Sequence, residues 1–222
     1  LISGVAFAIK SLNPHCKVYG VQAAGAASMF NAVRDGRKET LDGVATIADG
    51  IAVKTPGDLT FELCSRYVDE IVTVTDDEIS TAILTLIEQQ KLIAEGAGAV
   101  SVAAVLFDKI PVEGKNVVCL LSGGNIDVTI LSRVISRGLL KSGRSADIII
   151  ELSDKPGQLS GVSKIVADLG GNVVAVYHDR ADLDMDINAC FLRLVLETRD
   201  HAHVEEIKRA LTAAGYKLAA RA

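Results

Sequence analysis

A serine and two glycines lie where an apolar segment of strand length gives way to a segment with helical spacing. The strand-like segment is Asn116–Leu121, the polar turn is Ser122–Asn125, and Ile126–Ile135 carries apolar residues at helical intervals. Open α/β sheets bind ligands at the carboxyl ends of their strands. Glycine lets backbone approach a ligand closely, and a hydroxyl forms hydrogen bonds without carrying charge. These residues predict a ligand site at Ser122 and Gly123. The alternative is a tight turn in which Ser122 only caps the next helix.

Strands alternate with helices before this turn, which predicts a parallel sheet. The predicted strands are Lys17–Val21 and Glu70–Thr75. Asp76 is predicted to cap the helix that comes after the second strand. The predicted helices are Leu1–Leu12, Ala26–Val33, Asp58–Tyr67, Asp77–Gln90 and Ala97–Phe107.

The pattern changes after a short polar hinge, Lys141–Ser145. Beyond the hinge, the order strand, helix, strand, strand, helix, strand predicts a ferredoxin-like βαββαβ unit. His201 and His203 stand at the start of its second helix and are predicted to be surface residues. The predicted strands are Asp147–Leu152, Asn172–Tyr177, Ile187–Thr198 and one that begins at Tyr216, and the predicted helices end at Leu169 and Ala214.

The composition of the 222 residues excludes some classes of function. Hydrophobic residues make up 49% and aromatic residues only 4%, which favours buried parallel strands packed under helices. The net charge of −5 argues against nucleic acid as a partner, and the apolar runs are too short for a membrane span. The cysteines are scattered without metal-ligand spacing, so we expect reduced core thiols, no metal and a cytoplasmic location. These cysteines are Cys16, Cys64, Cys119 and Cys190.

Several segments together resemble the pyridoxal-phosphate-dependent family of threonine dehydratases (threonine ammonia-lyases), with serine racemases and serine dehydratases as relatives. Four of them occur in the family's order, and the opening Leu1–Gly4 resembles the segment directly after its phosphate loop. The four are Thr46–Gly50, Val68–Ile79, Glu95–Ala99 and Leu120–Asp127. The resemblance implies an α/β chain: residues 1–143 as the C-terminal part of a tryptophan-synthase-β-like catalytic domain of fold type II, then residues 144–222 as a regulatory ACT domain.

The resemblance also assigns roles around pyridoxal 5'-phosphate. Ser122 would be the partner of the ring nitrogen, Gly50 and Gly123 would line the ring pocket, and Leu1 would supply a backbone N–H to the phosphate. Glu95 would lie beside the ring, with a helix-capping glutamate as the alternative.

Part of the family's site has no counterpart in this sequence. The Schiff-base lysine and the phosphate-loop glycines are missing, so we expect the C-terminal part of a longer polypeptide, with no catalytic residue of its own. Racemase-like members hold a divalent ion at positions that match Gln22, Ala26 and Ser28, and none of these is anionic. A dehydratase is therefore favoured over a racemase.

The second half carries its own resemblance. Asp154–Leu159, with Gly171 and Asn172 further along, resembles the ACT family, whose members bind small amino acids near the first strand–helix turn, where paired units meet. A helix N-terminus suits a carboxylate. The alternative is that Pro156 and Gly157 only start the helix and that the domain only assembles oligomers. The residues predicted to bind an effector are Asp154, Pro156, Gly157, Gln158, Leu159 and Asn172.

The function implied is deamination of L-threonine to 2-oxobutanoate and ammonia, and more slowly of L-serine to pyruvate. Amino-acid metabolism, isoleucine biosynthesis for example, is the expected setting. The expected partners are a small amino-acid substrate, an allosteric effector such as isoleucine or valine, and further copies of the chain in a dimer or tetramer. The alternatives are a serine dehydratase or racemase, and a non-catalytic module that binds an amino acid and assembles oligomers.

Overall fold

The computed structural model describes residues 1–179 and 189–219, which form two compact units. The units are Leu1–Val134 and Ile135–Ala222. The boundary falls inside a helix, α6 (Val128–Lys141), whereas the sequence placed it after residue 143. Among the described residues, no helix is both long enough and apolar enough to cross a bilayer.

The N-terminal unit alternates helices with two parallel strands. The strands are β1 (Tyr19–Ala23) and β2 (Glu70–Val74), which pair from Tyr19 opposite Glu70 to Ala23 opposite Val74. The predicted parallel pairing is thus confirmed, with β1 starting two residues later than expected. Its helices are α1 (Ile2–Leu12), α2 (Ser28–Asp35), α3 (Asp58–Tyr67), α4 (Asp76–Thr85), α5 (Gly96–Leu106) and the first half of α6. Helix α4 continues as a π-helical turn to Gln90.

Helix α5 lies at the centre of this unit. Its small side chains are buried on nearly every side, against α4 and both strands. Alanine and glycine let helix and sheet approach closely, which is why a unit with few aromatic residues still has a continuous core. The fully buried side chains around it include Ala23, Val74, Ile79, Ala82, Ile83, Ala99, Ala103 and Ala104.

The strand predicted at Asn116–Leu121 is wrong. The segment forms no ladder with any strand among the described residues, and Val118 is 93% exposed. It lies along α5, where the Ser101 hydroxyl donates to the carbonyl of Leu120 at 3.0 Å. An apolar run becomes a strand only when a neighbouring strand pairs with its backbone. Among the described residues, the neighbour of this segment is α5, a helix whose backbone groups are already paired.

The C-terminal unit is a four-stranded antiparallel sheet with two helices. The strands are β3 (Ser145–Ser153), β4 (Asn172–Asp179), β5 (Ala189–Glu197) and β6 (Lys217–Ala219), in the sheet order β4-β5-β3-β6. The helices are α7 (Gln158–Asp168) and α8 (His201–Ala213). The order of elements is the one predicted. Residues 187 and 188 of the third predicted strand lie outside the described residues.

Buried and less buried side chains alternate along the two central strands, β3 and β5, and the buried ones form the core of this unit. Ile148, Ile150 and Leu152 of β3 and Leu192, Leu194 and Leu196 of β5 are all buried. Since side chains alternate between the two faces of a strand, this pattern leaves the opposite face of β3 and β5 to less buried residues. The helices cover the buried face with Val162, Val166, Ile207 and Leu211.

The prediction that His203 is a surface residue is wrong. His203 is 2% exposed. Its Nδ1 accepts from the N–H of Arg199 at 3.1 Å, so its Nε2 donates to the carbonyl of Leu169, 3.0 Å away. The ring therefore satisfies two backbone groups that burial would otherwise leave unpaired, while its neighbour His201 remains exposed.

Asp69 connects three parts of the N-terminal unit. Its carboxylate accepts from Lys10 of α1 at 2.6 Å, from Lys17 at 2.9 Å, and from the N–H of Val18 at 2.8 Å. Burial alone would raise the pKa of Asp69, but the hydrogen bonds from Lys10, Lys17 and Val18 hold it well below its usual range.

We predict that Asp69→Asn destabilises the unit in a pH-dependent way. Because the pKa of Asp69 is lower in the folded state, its contribution is complete above the unfolded value of about 3.9 and is lost as the pH falls toward the folded value. The free energy of unfolding near neutral pH should fall by about 1.5–3 kcal/mol. Urea unfolding at a series of pH values should show wild type and variant converging below about pH 4. Asp42→Asn, at an exposed carboxylate, is the control, and a pH-independent difference for Asp69→Asn would contradict the prediction.

Candidate functional site

Three parts of the N-terminal unit that are distant in sequence meet at the start of α5. They are the loop Thr46–Gly50, the N-terminal end of α5 at Glu95, and the segment Ser122–Gly124. The N–H of Glu95 donates to the carbonyl of Gly123 at 3.1 Å. The Thr46–Gly50 loop packs on the same end of the helix, since a Cβ on Gly96 would lie 2.7 Å from the carbonyl of Ile47.

A carboxylate at the start of α4 holds the loop in place. Asp76 accepts from the hydroxyl of Thr46 at 2.6 Å and from the N–H of Ile47 at 3.1 Å. The prediction that Asp76 caps α4 is wrong, because Thr75 occupies that position and forms a capping box with Glu78. The sequence signal was available: Thr75 and Glu78 have the spacing of a capping box, which leaves Asp76 available to hold the loop.

The glycines of the site allow contacts that side chains would prevent. A Cβ on Gly98 would lie 2.9 Å from the backbone N of Gly123 and closer still to its carbonyl oxygen. A Cβ on Gly123 would overlap the carboxylate of Glu95. Gly50 approaches the same carboxylate, since its Cβ would be 3.7 Å from Oε1 of Glu95. The structure therefore brings Gly50, Glu95 and Gly123 together, as the sequence predicted.

Glu95 occupies the N-cap position of α5 but does not cap it through its side chain, and the alternative in which Ser122 caps the next helix is wrong. The side chain of Glu95 makes no capping hydrogen bond with α5. The helix after Ser122 begins at Val128, and it is Asp127 that accepts from the N–H groups of Thr129 and Ile130, at 2.7 and 3.4 Å. Hydrogen bonds from Thr129 and from the N–H of Ile130 lower the pKa of Asp127. In the described part of the chain, the Ser122 hydroxyl and the half-buried Glu95 carboxylate have no hydrogen-bond partner.

Leu1 is not joined to this group by any described contact. Its side chain is 76% exposed, and its carbonyl accepts from the N–H groups of Gly4 and Val5 in its own helix. A role of Leu1 at a phosphate stays a prediction.

A second candidate site lies in the C-terminal unit, at the turn between β3 and α7. A cavity of about 310 Å³ opens there. Five of the six residues predicted to bind an effector line it: Asp154, Pro156, Gly157, Gln158 and Leu159. His178, Cys190 and Leu192 of the neighbouring strands line it too, and no local sequence pattern singles them out.

The prediction that Asn172 faces this turn within the same unit is wrong. Asn172 pairs with Glu197, which in turn pairs with Ser145 at the opposite end of β3. Its amide donates to the carboxylate of Glu197 at 2.9 Å. The reason is the direction of the strands. Because β3 and β4 both run antiparallel to β5, they run parallel to each other, and the start of β4 is level with the start of β3. The turn that follows β3 is therefore level with the end of β4, far from Asn172.

Gly157 has a conformational reason to be glycine. Its φ of +93° lies in the left-handed region that residues with a Cβ rarely adopt. Apart from its chain neighbours, no described residue has an atom within 4 Å of where its Cβ would be. A side chain at Gly157 would strain the backbone rather than collide with a neighbour.

Comparisons with known proteins identify the family. The family model described as "Pyridoxal-phosphate dependent enzyme" matches residues 1–123, which contain Gly50, Glu95, Ser122 and Gly123 of the first site. The chain belongs to this family of pyridoxal-phosphate-dependent enzymes, with its mixed α/β fold of type II.

Individual relatives agree with the family. An L-threonine ammonia-lyase of Thermotoga maritima is 54% identical over 218 residues, 98% of this chain and 54% of that protein. The processed form of threonine deaminase isoform 2 from Solanum lycopersicum superposes with a TM-score of 0.58 at 38% identity, over 63% of this chain and 39% of that one. A maize serine racemase gives a TM-score of 0.55 at 32% identity, over 64% and 44% of the two chains. The chain spans about half the length of the curated relatives it matches.

The residues present fit the family's cofactor. A pyridine ring needs a hydrogen-bonding partner for its nitrogen and close packing on its face. Ser122 offers an exposed hydroxyl without a partner among the described residues, and the adjacent Gly123 and Gly50 offer backbone without side chains. Ser122, Gly123, Gly50 and Glu95 would thus hold pyridoxal phosphate here.

We predict that Gly98→Ala destabilises the N-terminal unit although it lies inside a helix. Alanine in place of a helical glycine normally gains about 0.5–1 kcal/mol, but here the methyl group must displace the backbone of Gly123, which costs about 1–3 kcal/mol. Gly4→Ala in α1 is the matched control, because no described residue outside its own helix backbone has an atom within 4 Å of its Cβ position. Urea unfolding should show Gly98→Ala below wild type and Gly4→Ala at or above it. Equal stability of the two variants would show that Gly98 and Gly123 are not in contact.

Proposed function

We propose that this chain is part of an L-threonine ammonia-lyase that converts L-threonine to 2-oxobutanoate and ammonia, and L-serine more slowly to pyruvate. The observation that carries the proposal is the Gly50, Glu95 and Gly123 group with the Ser122 hydroxyl beside it, in a family that depends on pyridoxal phosphate. The 54% identity to a relative named L-threonine ammonia-lyase supports the choice of reaction. A cytoplasmic location goes with this proposal.

The proposed roles arise from the chemistry of each group. Bound pyridoxal phosphate supplies an electron sink for bond cleavage at the α-carbon of an amino acid. The Ser122 hydroxyl would be the partner of the ring nitrogen, and because a hydroxyl carries no charge it would leave that nitrogen largely unprotonated, which favours elimination of the β-hydroxyl. Gly50 and Gly123 would line the ring pocket with backbone, and Glu95 would order its surroundings from the start of α5.

We also propose that a preceding segment of the same polypeptide supplies the Schiff-base lysine and the phosphate-binding glycines. The lysines of the N-terminal unit are engaged elsewhere, which supports this view. Lys10 and Lys17 bind Asp69, Lys38 binds Asp58, Lys109 binds Glu78, and Lys54, Lys91 and Lys115 donate to the carbonyls of Asp42, Glu88 and Pro111.

A serine racemase is the second candidate, since one such enzyme superposes on the chain. Gln22 argues against it. Its amide oxygen accepts from the N–H of Phe30 at 2.7 Å and its amide nitrogen donates to the carbonyl of Ala26 at 3.3 Å. At this racemase-like metal position the side chain is therefore used to hold the start of α2, and it brings no negative charge to a divalent ion.

For the C-terminal unit we propose a ferredoxin-like ACT domain that binds a small amino acid, isoleucine or valine first, and pairs chains into a dimer or tetramer. The strand order β4-β5-β3-β6 and the cavity beside Gly157 support this. The cavity combines the N–H groups of a helix start, which suit a carboxylate, with apolar lining from Leu152, Leu159 and Leu192. The alternative, a module that only assembles oligomers, requires no ligand there.

The first prediction here concerns catalysis. The chain joined to the segment encoded before Leu1 should release 2-oxobutanoate from L-threonine, and the chain alone should not. In the joined protein, Ser122→Ala should weaken cofactor binding by the value of one hydrogen bond with a buried partner, about 1–3 kcal/mol. Ser65→Ala, at an exposed serine of α3, is the matched control. Cofactor affinity and keto-acid release are the readouts, and unchanged values for Ser122→Ala would remove Ser122 from the site.

The second prediction concerns the regulatory ligand. Isothermal titration of the full chain with isoleucine, valine and other amino acids should reveal binding to one of them, with a coupling to catalysis of about 1–3 kcal/mol in the joined protein. Leu159→Arg should abolish binding, whereas Leu140→Arg should not, because Leu140 lies in α6 outside the cavity at a similar exposure of 48% against 44%. Gly157→Val is a poor test, since its effect would mix backbone strain with steric exclusion. If no amino acid binds, the unit is only an assembly device.

A further inference from the structure

Three side chains with metal-binding atoms converge in the cavity of the C-terminal unit. Asp154 comes directly after β3, His178 is near the end of β4, and Cys190 is near the start of β5. Nε2 of His178 lies 3.0 Å from Sγ of Cys190 and 3.8 Å from Oδ1 of Asp154. The three donor atoms lie within 4.8 Å of one another.

The distances between these donor atoms are close to those found around a bound metal ion, so the side chains need to move little to bind one. Zinc bonds of about 2.3 Å to sulfur and about 2.0 Å to nitrogen at tetrahedral angles imply a separation of about 3.5 Å between the two donors. The observed distance between Nε2 and Sγ is 3.0 Å, and a small rotation of the two side chains would bring it to this value. The 3.8 Å between Nε2 and Oδ1 is equally close to what a shared ion requires.

The type and placement of the donors favour a zinc-class ion. One thiolate, one imidazole and one carboxylate form a mixed soft and borderline set that suits Zn²⁺ or Co²⁺ rather than Mg²⁺ or Ca²⁺, which prefer oxygen alone. Cys190 is 1% exposed, whereas the side chains of His178 and Asp154 are 39% and 34% exposed at the cavity. The sulfur is thus shielded from solvent, and an ion can still reach it.

We propose that Asp154, His178 and Cys190 bind a divalent ion of the zinc class, with the remaining coordination position available to water or another small ligand. Binding releases the thiol proton of Cys190 to solvent and forms the sulfur–metal bond, while His178 binds as the neutral imidazole. The strands β4 and β5 are hydrogen-bonded neighbours, with His178 opposite Leu192. The sheet therefore sets the positions of two ligands before the ion arrives.

The sequence predicted no metal because no spacing between these residues matches a linear metal-binding motif. The ligands lie on three separate elements, and only the pairing of β3 and β4 with β5 brings them together. The proposal stands independently of the amino-acid effector, since the ion alone is the probe.

The test is a titration of the full chain, first freed of metal by a chelator and kept reduced, with Co²⁺. A thiolate ligand gives Co²⁺ an intense charge-transfer absorption, so the wild type should show this band at one ion per chain, and Zn²⁺ should displace it. Loss of an outer partner of a metal ligand costs about 10–100-fold in affinity, so His178→Gln should weaken binding by at least about 100-fold. Cys190→Ser should abolish the band.

Matched controls separate this site from other thiols. Cys16→Ser and Cys119→Ser remove one exposed and one partly buried cysteine outside the cavity and should leave the band unchanged. Circular dichroism checks that each variant is folded. If Cys190→Ser does not fold, His178→Gln still decides the test, because His178 is exposed and its replacement leaves the core intact. No band in the wild type, a band that survives His178→Gln at full affinity, or a band that disappears with Cys16→Ser would each overturn the proposal.

Discussion

The hydrogen bond from the N–H of Glu95 to the carbonyl of Gly123 joins two of the three parts of the first site, and this close approach depends on the absence of a side chain at Gly98. A methyl group at Gly98 would collide with the backbone of Gly123, and a methyl group at Gly123 would displace the carboxylate of Glu95. Since the Thr46–Gly50 loop packs on the same end of α5, the whole group requires this close approach. Glycine has a conformational cost in a helix, and at Gly98 that cost is balanced by the contact it permits.

Carboxylates position the surroundings of this contact. Asp76 holds the loop that carries Gly50, and Asp69 holds the end of α1 and the start of β1 beside β2. Both stand next to β2, one before it and one after it, so the strand carries an anchor at each end. These anchors are hydrogen bonds to a charged group, which are stronger than neutral ones, and they position a site whose own functional residues carry few such bonds.

The C-terminal unit places its chemistry at one end of its sheet. The β3–α7 turn and the facing ends of β4 and β5 surround a single cavity, with a glycine at positive φ on one side and Cys190 at its base. A cavity lined by a helix start, apolar side chains and three metal-binding atoms combines recognition groups of different chemistry. The opposite end of the sheet, where Asn172 binds Glu197, has a structural role instead.

Local pattern alone determined the helices and the order of elements. Helix α3 has the predicted bounds, and the C-terminal unit has the predicted order of elements, because the spacing of apolar residues indicates whether a segment is a helix or a strand. The resemblance in Ser122–Gly123, Gly50 and Glu95 identified residues that the fold brings together. Only the tertiary structure decided what depends on neighbours distant in sequence. It showed that Asn116–Leu121 pairs with no strand among the described residues and that His203 is buried. It also showed that Asn172 lies away from the turn and that Asp154, His178 and Cys190 meet. Strand pairing and direction set these outcomes, and no local spacing in the sequence encodes them.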